Sequence, residues 1–387
     1  MKILIIPSWY PHPENPLAGK FFVDQAIALQ KHSQHHYYLL NFGQNQYQLS
    51  MRRAHQSLRH LRNWRRASNQ TQMITERLQE IRIPHLSWTA HLLKGNLAAF
   101  DVSRLPKVDL VYAQVSFPGA YLASRIAIDQ GIPYVVAEHS GPFPLPDFCT
   151  GHAVSKLILN SLKGAKAVIA VSTHLQKQIF DSTGIETILI PNMVDCEYFV
   201  TQDTHSDKLR LFSMTPFTRA KGVEDLADAL QILDSQGLDF HLHWAGEGPL
   251  KRRIMQRCLP LAHKIRFTNY LNREQARNAF QNCDIYVMPS RLESFSMVLI
   301  EAMSCGKPFV ATDCGGPRDI VMDGLGLLAP VQDSGALARA ILNLAENLKD
   351  YQTEVIRKHC RMKYSEEVVC QSLLDVFERV SLPQAHY

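Results

Sequence analysis

The stretch 285–306 reads IYVMPSRLESFSMVLIEAMSCG, and its pattern predicts a strand, a polar turn and a buried helix in succession. Its first four residues are apolar and mostly β-branched or aromatic, which is typical of a buried strand. A polar turn follows, and then an apolar run that ends at Gly306, the residue type that commonly follows a helix. This order is the repeating unit of a parallel sheet covered by helices.

Short apolar runs alternate with helical patterns along the whole chain, and the polar stretch 199–208 separates two blocks of similar size. We therefore predict an α/β protein with two doubly wound, Rossmann-like domains that face a central cleft. The predicted domains are 1–200 and 201–364, and a C-terminal helix within 365–387 is expected to pack back on the first domain. The predicted strands are 3–6, 37–40, 110–113, 134–137, 167–171, 187–190, 209–214, 240–245, 265–267, 285–288 and 309–311.

Composition excludes several classes of protein. The 387 residues are 46% hydrophobic and 20% charged, as in globular proteins and unlike disordered or collagen-like chains. The first apolar run stops at Pro7, too early for a signal peptide, so a cytoplasmic location is expected. The eight cysteines form no C-x-x-C pair, and neither H-E-x-x-H nor D-x-D occurs. We expect no metal and no cofactor.

The net charge of +5 is concentrated in one segment. Residues 51–100 hold nine basic and two acidic side chains, and within 51–82 apolar residues recur at helical spacing. This pattern is typical of a basic amphipathic helix, which could dock on an anionic membrane surface. A helix with one core-facing side and a solvated basic side would give the same pattern. Nucleic-acid binding is not expected, because no recognition motif accompanies the charge.

Two glutamates flank the predicted helix N-terminus at a separation that suits ligand binding. Glu293 lies in the turn and Glu301 lies eight residues later, a rise of about 12 Å in a helix. That separation exceeds the roughly 5–9.5 Å between the two carboxylates of a glycosidase. The amides of Phe295 and Ser296 lie between the glutamates, where a helix N-terminus favours a phosphate. The alternative is that Glu293 caps the helix and Glu301 is solvated.

Other turns follow strands of the same predicted sheet, and each also has a purely structural interpretation. Residues 246–250 read GEGPL, a tight turn where backbone can approach a ligand. Residues 215–222 read TPFTRAKG, where two cations could neutralise a diphosphate. Residues 313–319 read DCGGPRD. Since the strands end at one edge of one sheet, we expect these turns to lie together.

Together these blocks resemble glycosyltransferase family 4, the retaining sugar transferases of the GT-B fold. The E-x7-E signature matches Glu293 to Glu301, and 301–316, EAMSCGKPFVATDCGG, is similar to the donor-site block of the family. The turn at 246–250 and the pair Lys221-Gly222 match two further blocks. The resemblance covers nearly the whole chain and is strongest over 190–325.

The resemblance implies specific roles for these residues. Glu301 would bind the ribose of a nucleotide sugar, Glu293 would contact the transferred sugar, and Lys221 would hold the diphosphate. Gly246, Glu247, Phe295 and Ser296 would line the donor site. The usual arginine of the family, five or six residues before the lysine, is absent here, so Arg219 is the substitute that we predict.

In the first half, the resemblance implies roles for one histidine and one glycine. His139 follows the strand 134–137 and would contact the donor sugar, although a lone histidine is more often structural. Gly19 ends a long turn after the first strand, which would lie over the donor phosphates and the acceptor.

The sequence therefore predicts a retaining glycosyltransferase that moves a sugar from a nucleotide-diphosphate sugar to a hydroxyl acceptor. Its expected partners are that donor and a glycan or lipid-linked acceptor, in cell-surface polysaccharide or lipid-linked glycan biosynthesis. The alternatives are a nucleotide-sugar epimerase or hydrolase of the same fold, and a non-catalytic binding protein. An epimerase or hydrolase would turn over donor without acceptor.

Overall fold

The computed structural model describes residues 1–12, 18–44, 48–49, 54–85, 87–88, 100–146, 149–150, 153–202, 204, 206 and 208–382. Parts of three predicted segments lie outside these residues: 51–53 of the basic segment, 203, 205 and 207 of the polar stretch, and 383–387 of the C-terminal helix. No helix within the described ranges has both the length and the apolar character needed to cross a membrane.

Two compact units make up the described chain. The first consists of Met1–Val171, Gln176–Ile190 and the residues from Cys370 onward, and the second of Ser172–Leu175 and Pro191–Val369. The main division therefore falls earlier than the predicted boundary at residue 200. The C-terminal helix Glu366–Ser381 crosses from the second unit into the first.

The first unit is built on an eight-stranded sheet with helices between its strands. The strand order is β12-β11-β8-β7-β1-β2-β5-β4, and only β4 is antiparallel to its neighbour. The strands are β1 Lys2–Pro7, β2 His36–Asn41, β3 Gln48–Leu49, β4 Gln70–Thr75, β5 Leu78–Arg82, β6 Ser87–Trp88, β7 Leu110–Gln114, β8 Tyr134–Glu138, β9 Cys149–Thr150, β10 Ala153–Val154, β11 Ala167–Ala170 and β12 Ile188–Leu189. The short pairs β3 with β6 and β9 with β10 lie outside this sheet.

Helices connect these strands. They are α1 Lys20–Lys31, α2 Ala54–Arg66, α3 Tyr121–Gln130, α4 Lys156–Lys163 and α5 Thr173–Thr183. The central strands β1, β7 and β8 are apolar and almost wholly buried, as expected where helices cover both faces of a parallel sheet. The C-terminal helix belongs to the same core, because Phe377 packs on Tyr112 of β7 with ring centroids 5.0 Å apart.

The second unit contains a six-stranded, wholly parallel sheet. Its order is β15-β14-β13-β16-β17-β18. Its strands are β13 Leu209–Met214, β14 Phe240–Ala245, β15 Ile265–Thr268, β16 Ile285–Met288, β17 Phe309–Thr312 and β18 Gly326–Ala329. Its helices are α6 Val223–Ser235, α7 Lys251–Arg257, α8 Arg273–Gln281, α9 Met297–Ser304, α10 Ser334–Glu346 and α11 Thr353–Tyr364, and α12 is Glu366–Ser381.

The strand order of the second sheet reverses between β13 and β16. The chain starts in the middle with β13, adds β14 and β15 on one side, and returns to place β16 beside β13. Ligands of doubly wound sheets bind where the order reverses, beyond the carboxyl ends of the strands. The two sheets confirm the predicted α/β class. The reversal of strand order indicates that a ligand site would lie at the turns after β13 and β16.

Glycines allow the turns of the second unit to pack on one another. Gly246 has φ +144°, and a Cβ atom there would lie 2.0 Å from the carbonyl oxygen of Thr215. Gly248 packs in the same way on the backbone of Phe217, whose amide donates to the carbonyl of Glu247 at 2.8 Å. The space beside the two α-carbons is filled by protein backbone. Both glycines are thus required by the packing of one turn on the next.

We expect Gly246→Ala to lower the free energy of unfolding by roughly 3–5 kcal/mol, because strain at positive φ adds to a backbone collision. Gly237→Ala in the same unit is the matched control. Gly237 has φ +79° with nothing within 4 Å of the added Cβ, so strain alone should cost about 1–2 kcal/mol. Urea unfolding followed by circular dichroism measures both, and equal losses would contradict the packing argument.

Candidate functional site

The turns after β13 and β16 bring together two of the predicted site residues. Lys221 Nζ lies 2.6 Å from Glu293 Oε1, and Ser290 Oγ donates to the same carboxylate oxygen at 2.8 Å. The side chains of Lys221 and Glu293 are 27% and 17% exposed. The pair is therefore partly shielded from water, which strengthens the attraction, but a ligand can still reach it.

A second ion pair locks these turns together. The Arg291 guanidinium donates to both carboxylate oxygens of Asp225 at 2.7 and 2.8 Å, and the Arg291 amide donates to the carbonyl of Ala220 at 2.8 Å. Gly222 lies so close to Pro289 that a Cβ atom would be 1.8 Å from the Pro289 carbonyl oxygen. The sequence reasoning did not predict this ion pair. The arginine in the turn next to the predicted glutamate was the signal that could have indicated it.

Arg219 lies apart from this pair. Its side chain is 78% exposed, and the nearest carboxylate is that of Glu224 at 3.8 Å. The short helical turn 219–221 turns Lys221 toward Glu293 and leaves Arg219 in solvent. The structure thus does not bring Arg219 to the site, where the sequence placed it as the substitute for the missing arginine.

The turn before α9 has an unusual backbone. Phe295 and Ser296 are buried, and Ser296 has φ 146° and ψ 100°, a conformation that favours glycine. Its hydroxyl contacts Met288 Sδ at 3.0 Å. The Glu293 carbonyl accepts from the Gly316 amide at 3.0 Å, so the turn is also tied to the glycine pair of the next strand end.

Burial and charge act together around the two predicted carboxylates. Tyr286 is fully buried beneath them and donates to the carbonyl of Met214 at 3.2 Å. Its pKa is raised well above the ordinary value, first by burial and then by Glu301 and Glu293. Burial raises the pKa of Cys314 to about 12, with Glu293 raising it and Lys221 lowering it. Glu301 itself is half-buried on α9, and Tyr286 is the side chain whose pKa responds to both glutamates.

Glu247 forms a separate polar cluster. Lys251 Nζ contacts Glu247 Oε1 at 2.8 Å, the Thr268 carbonyl at 2.9 Å and Asn269 Oδ1 at 2.8 Å. Tyr270 donates to the carbonyl of Glu247 at 3.3 Å. The Glu247 carboxylate is 41% exposed and already holds a cation. Lys251 thus ties the turn after β14 to the turn after β15.

In the first unit, a buried carboxylate fixes the turn that carries His139. Glu138 accepts hydrogen bonds from the amides of Ser116, His139 and Ser140 at 2.9, 3.0 and 2.8 Å, and also from the Ser116 hydroxyl. Sequence reasoning named His139 and gave Glu138 no role. The signal was a carboxylate at the end of an otherwise apolar strand, since a buried charge needs partners.

His139 and Gly19 both lie against the N-terminus of α1. The His139 ring is 8% exposed and packs edge-on against Phe21 and Phe22, with centroids 5.3 Å away in each case. Gly19 has φ +66°, and a Cβ atom there would lie 2.2 Å from the Trp9 carbonyl oxygen. Gly19 therefore allows α1 to begin directly beneath the turn after β1.

No group of three or more His, Cys, Asp or Glu side chains in the described ranges is arranged to hold a metal ion. All eight cysteines are free, and all but the half-buried Cys149 are buried.

Comparison with known proteins identifies both halves of the chain. Residues 64–198 match the model described as Glycosyltransferase Family 4, and residues 209–347 match the model described as Glycosyl transferases group 1. An uncharacterized glycosyltransferase of Methanocaldococcus jannaschii is 27% identical over 321 residues, which are 77% of this chain and 84% of that protein.

Two further relatives align over shorter stretches. A putative teichuronic acid biosynthesis glycosyltransferase of Bacillus subtilis is 26% identical over 60% of each chain. A phosphatidyl-myo-inositol mannosyltransferase of Mycobacterium leprae is 29% identical over 55% of this chain and 59% of the relative. The chain thus spans about three fifths of the length of these two relatives.

Solved structures share the fold over the full length. Sucrose-phosphate synthase from Thermosynechococcus elongatus has a TM-score of 0.71 at 17% identity, covering 98% of this chain and 99% of that one. HepE from Anabaena in complex with UDP-glucose has a TM-score of 0.69 at 18% identity, covering 98% and 100%. Because one family model matches each parallel-sheet unit and the fold agrees from end to end, the chain belongs to the GT-B glycosyltransferases of family 4.

Proposed function

We propose that this glycosyltransferase takes a sugar from a nucleotide-diphosphate sugar and transfers it to a hydroxyl group with retention of the anomeric configuration. The observation that carries the proposal is the Lys221–Glu293 pair at the reversal of the second sheet, beside the N-terminus of α9. That position combines a cation, a carboxylate and the backbone amides that precede α9, which together suit a diphosphate joined to a sugar.

Lys221 is the group that we assign to the diphosphate. Its ammonium has three donors, and Glu293 uses one of them, so the remaining donors can bind phosphate oxygens without losing the carboxylate. Glu293 would hold the ammonium in place and contact the transferred sugar. The amides of Phe295 and Ser296 would stabilise the charge that grows on the leaving phosphate.

A same-face displacement fits this arrangement. The bond from the anomeric carbon to the phosphate oxygen breaks, the bond to the acceptor oxygen forms, and the acceptor proton passes to the leaving phosphate. The Glu293 carboxylate is paired with Lys221 and Ser290, which lowers its reactivity as a covalent nucleophile. His139, held by the turn that Glu138 organises, is assigned to the donor sugar in the same scheme.

The acceptor class and the place of action rest on the relatives. Those with assigned names act in teichuronic acid biosynthesis and on phosphatidyl-myo-inositol. We propose that the acceptor here is a glycan or a lipid-linked glycan. We also propose that the protein acts at the cytoplasmic face of a membrane.

The surface of α2 favours membrane contact over the alternative of a core-facing helix. Leu58 is 68% exposed, and Trp64 is half-buried, with its indole donating to the Pro84 carbonyl at 3.3 Å. Arg77, by contrast, donates to the Ser33 carbonyl at 2.6 Å and is part of the fold. The exposed basic side chains of α2 are Arg59, Arg62, Arg65 and Arg66.

Glu293→Ala should reduce sugar transfer roughly 100-fold or more while nucleotide binding is retained, since the freed Lys221 ammonium still meets the diphosphate. Label transfer from a nucleotide sugar into membrane lipid and glycan extracts measures the first effect, and thermal shift measures the second. Glu346→Ala, an exposed carboxylate on α10, is the control. Normal transfer by Glu293→Ala would rule out this site. Donor turnover without extract would favour the epimerase or hydrolase.

One nucleotide among UDP, GDP and ADP should raise the melting temperature, and Glu301→Ala should abolish that rise. A ligand at 100 times its dissociation constant stabilises the native state by about 2.7 kcal/mol, which is readily measured. Because Glu301 is assigned to the ribose, an equal rise in the variant would contradict that role. No rise with any of the three would favour a binding protein of another kind.

Replacing Arg62, Arg65 and Arg66 with Gln should weaken binding to anionic vesicles roughly 100-fold, at about 1 kcal/mol for each arginine. The matched control is the replacement of Arg339, Lys349 and Lys358 with Gln, which removes the same charge from exposed positions of the second unit. Co-sedimentation with vesicles that contain or lack an anionic lipid gives the comparison. Equal losses in both variants would show that total charge, and not α2, controls binding.

A further inference from the structure

A cavity of about 590 Å³ lies in the second unit, away from the Lys221–Glu293 site. It is formed by β13, β14 and β15 and by the C-terminal end of α8. The strand β13 contributes Arg210–Phe212 to its wall, whereas Lys221 lies beyond the carboxyl end of that strand. The cavity is therefore a separate feature of the unit.

The wall of this cavity is more polar than the helix-covered face of a parallel sheet usually is. Along β13 and β14, Leu211 and Leu242 face the hydrophobic core cluster, as strand alternation requires. The opposite face of β14 carries His241 and His243, where apolar residues covered by a helix would be typical. Phe280 of α8 covers the middle of the sheet, with its ring 5.1 Å from that of Phe212.

The strand register places basic side chains next to one another. His241 lies opposite Arg210, and His243 lies opposite Arg266. The pKa of His243 is lowered, first by burial and then by the charge of Arg266. A second positive charge opposite Arg266 is unfavourable, so His243 favours its neutral form.

Part of this positive charge is already balanced by carboxylates. Arg210 forms a two-point ion pair with Asp284 at 2.6 and 3.1 Å, and Lys264 contacts Asp234 at 2.7 Å. Within the described part of the chain, no carboxylate forms an ion pair with Arg266, His241 or His263, all of which are exposed. The lining thus contains two basic groups that are paired with carboxylates and three basic groups that an anion could contact.

We propose that this cavity binds a small phosphorylated molecule at a site distinct from the donor site. A phosphate group would meet the guanidinium of Arg266, which suits phosphate geometry, in a lining that is rich in hydrogen-bond donors. The volume is larger than a bare phosphate ion requires, which favours an ester or a diphosphate. The groups that would face it are Arg210, His241, His243, His263, Lys264 and Arg266, with Asp284 and Asp234 behind two of them.

Inorganic pyrophosphate is the probe, and isothermal titration calorimetry measures its affinity. The combined change Arg266→Gln and His241→Gln should weaken binding at this site by about tenfold or more. Lys221→Gln, which alters the donor site, should leave it unchanged, as should the exposed control Lys349→Gln.

Three results would overturn the proposal. They are the absence of pyrophosphate binding at millimolar concentration, loss of all binding in Lys221→Gln, and binding to vesicles that carry a phosphate-monoester lipid without binding to soluble pyrophosphate. Arg266→Lys keeps the cation but loses the planar fork, so its affinity should lie between those of the wild type and the double variant. Melting temperatures equal to that of the wild type separate loss of binding from loss of folding.

Discussion

The contact between the turn after β13 and the turn after β16 is the constraint on which the second unit depends. Gly222 packs against the Pro289 carbonyl, and the Arg291 guanidinium forms an ion pair with Asp225, so neither turn can move without the other. Parallel strand order makes the contact obligatory, because β13 and β16 are neighbours although two strands intervene in the chain. The distance between Lys221 and Glu293 is therefore set by backbone packing and not by their own attraction.

In the first unit, the turns at the reversal of the sheet are also connected to each other, but by hydrogen bonds from buried polar side chains. Its sheet reverses between β1 and β7, where Ser8 Oγ donates to the Gln114 carbonyl at 2.7 Å and accepts from the Gly119 amide at 3.0 Å. One strand further, Glu138 gathers three amides around its carboxylate. In both units, polar groups at the ends of strands fix the backbone of the following turns by hydrogen bonds. The side chains that we assign to binding and catalysis lie on those turns.

Sequence reasoning succeeded where a pattern reflects strand order. The alternation of strands and helices predicted two parallel sheets, and the blocks around Glu293 and Lys221 predicted a family that the comparisons confirm. It could not place Arg219, because the path of one helical turn decides which of two nearby cations faces Glu293. For the turn 246–250 it left a ligand role and a structural role open, and the close contact of Gly246 with the Thr215 backbone explains the glycine by packing.

Other features depend on contacts between distant segments, which no local pattern encodes. Ser172–Leu175 belongs to the second unit because Thr173 donates through its amide and hydroxyl to the carboxylate of Asp319, at 2.5 Å in each case. A polar stretch such as 199–208 marks a surface segment, and surface segments need not coincide with boundaries.

The backbone of Ser296 has a consequence for the entropy of ligand binding. A serine at φ 146° is held there by its surroundings, since an isolated chain would leave that conformation. The conformational freedom of this turn is therefore already lost when the protein folds. A ligand that meets the amides at the start of α9 finds them already aligned, and more of its contact energy remains as affinity.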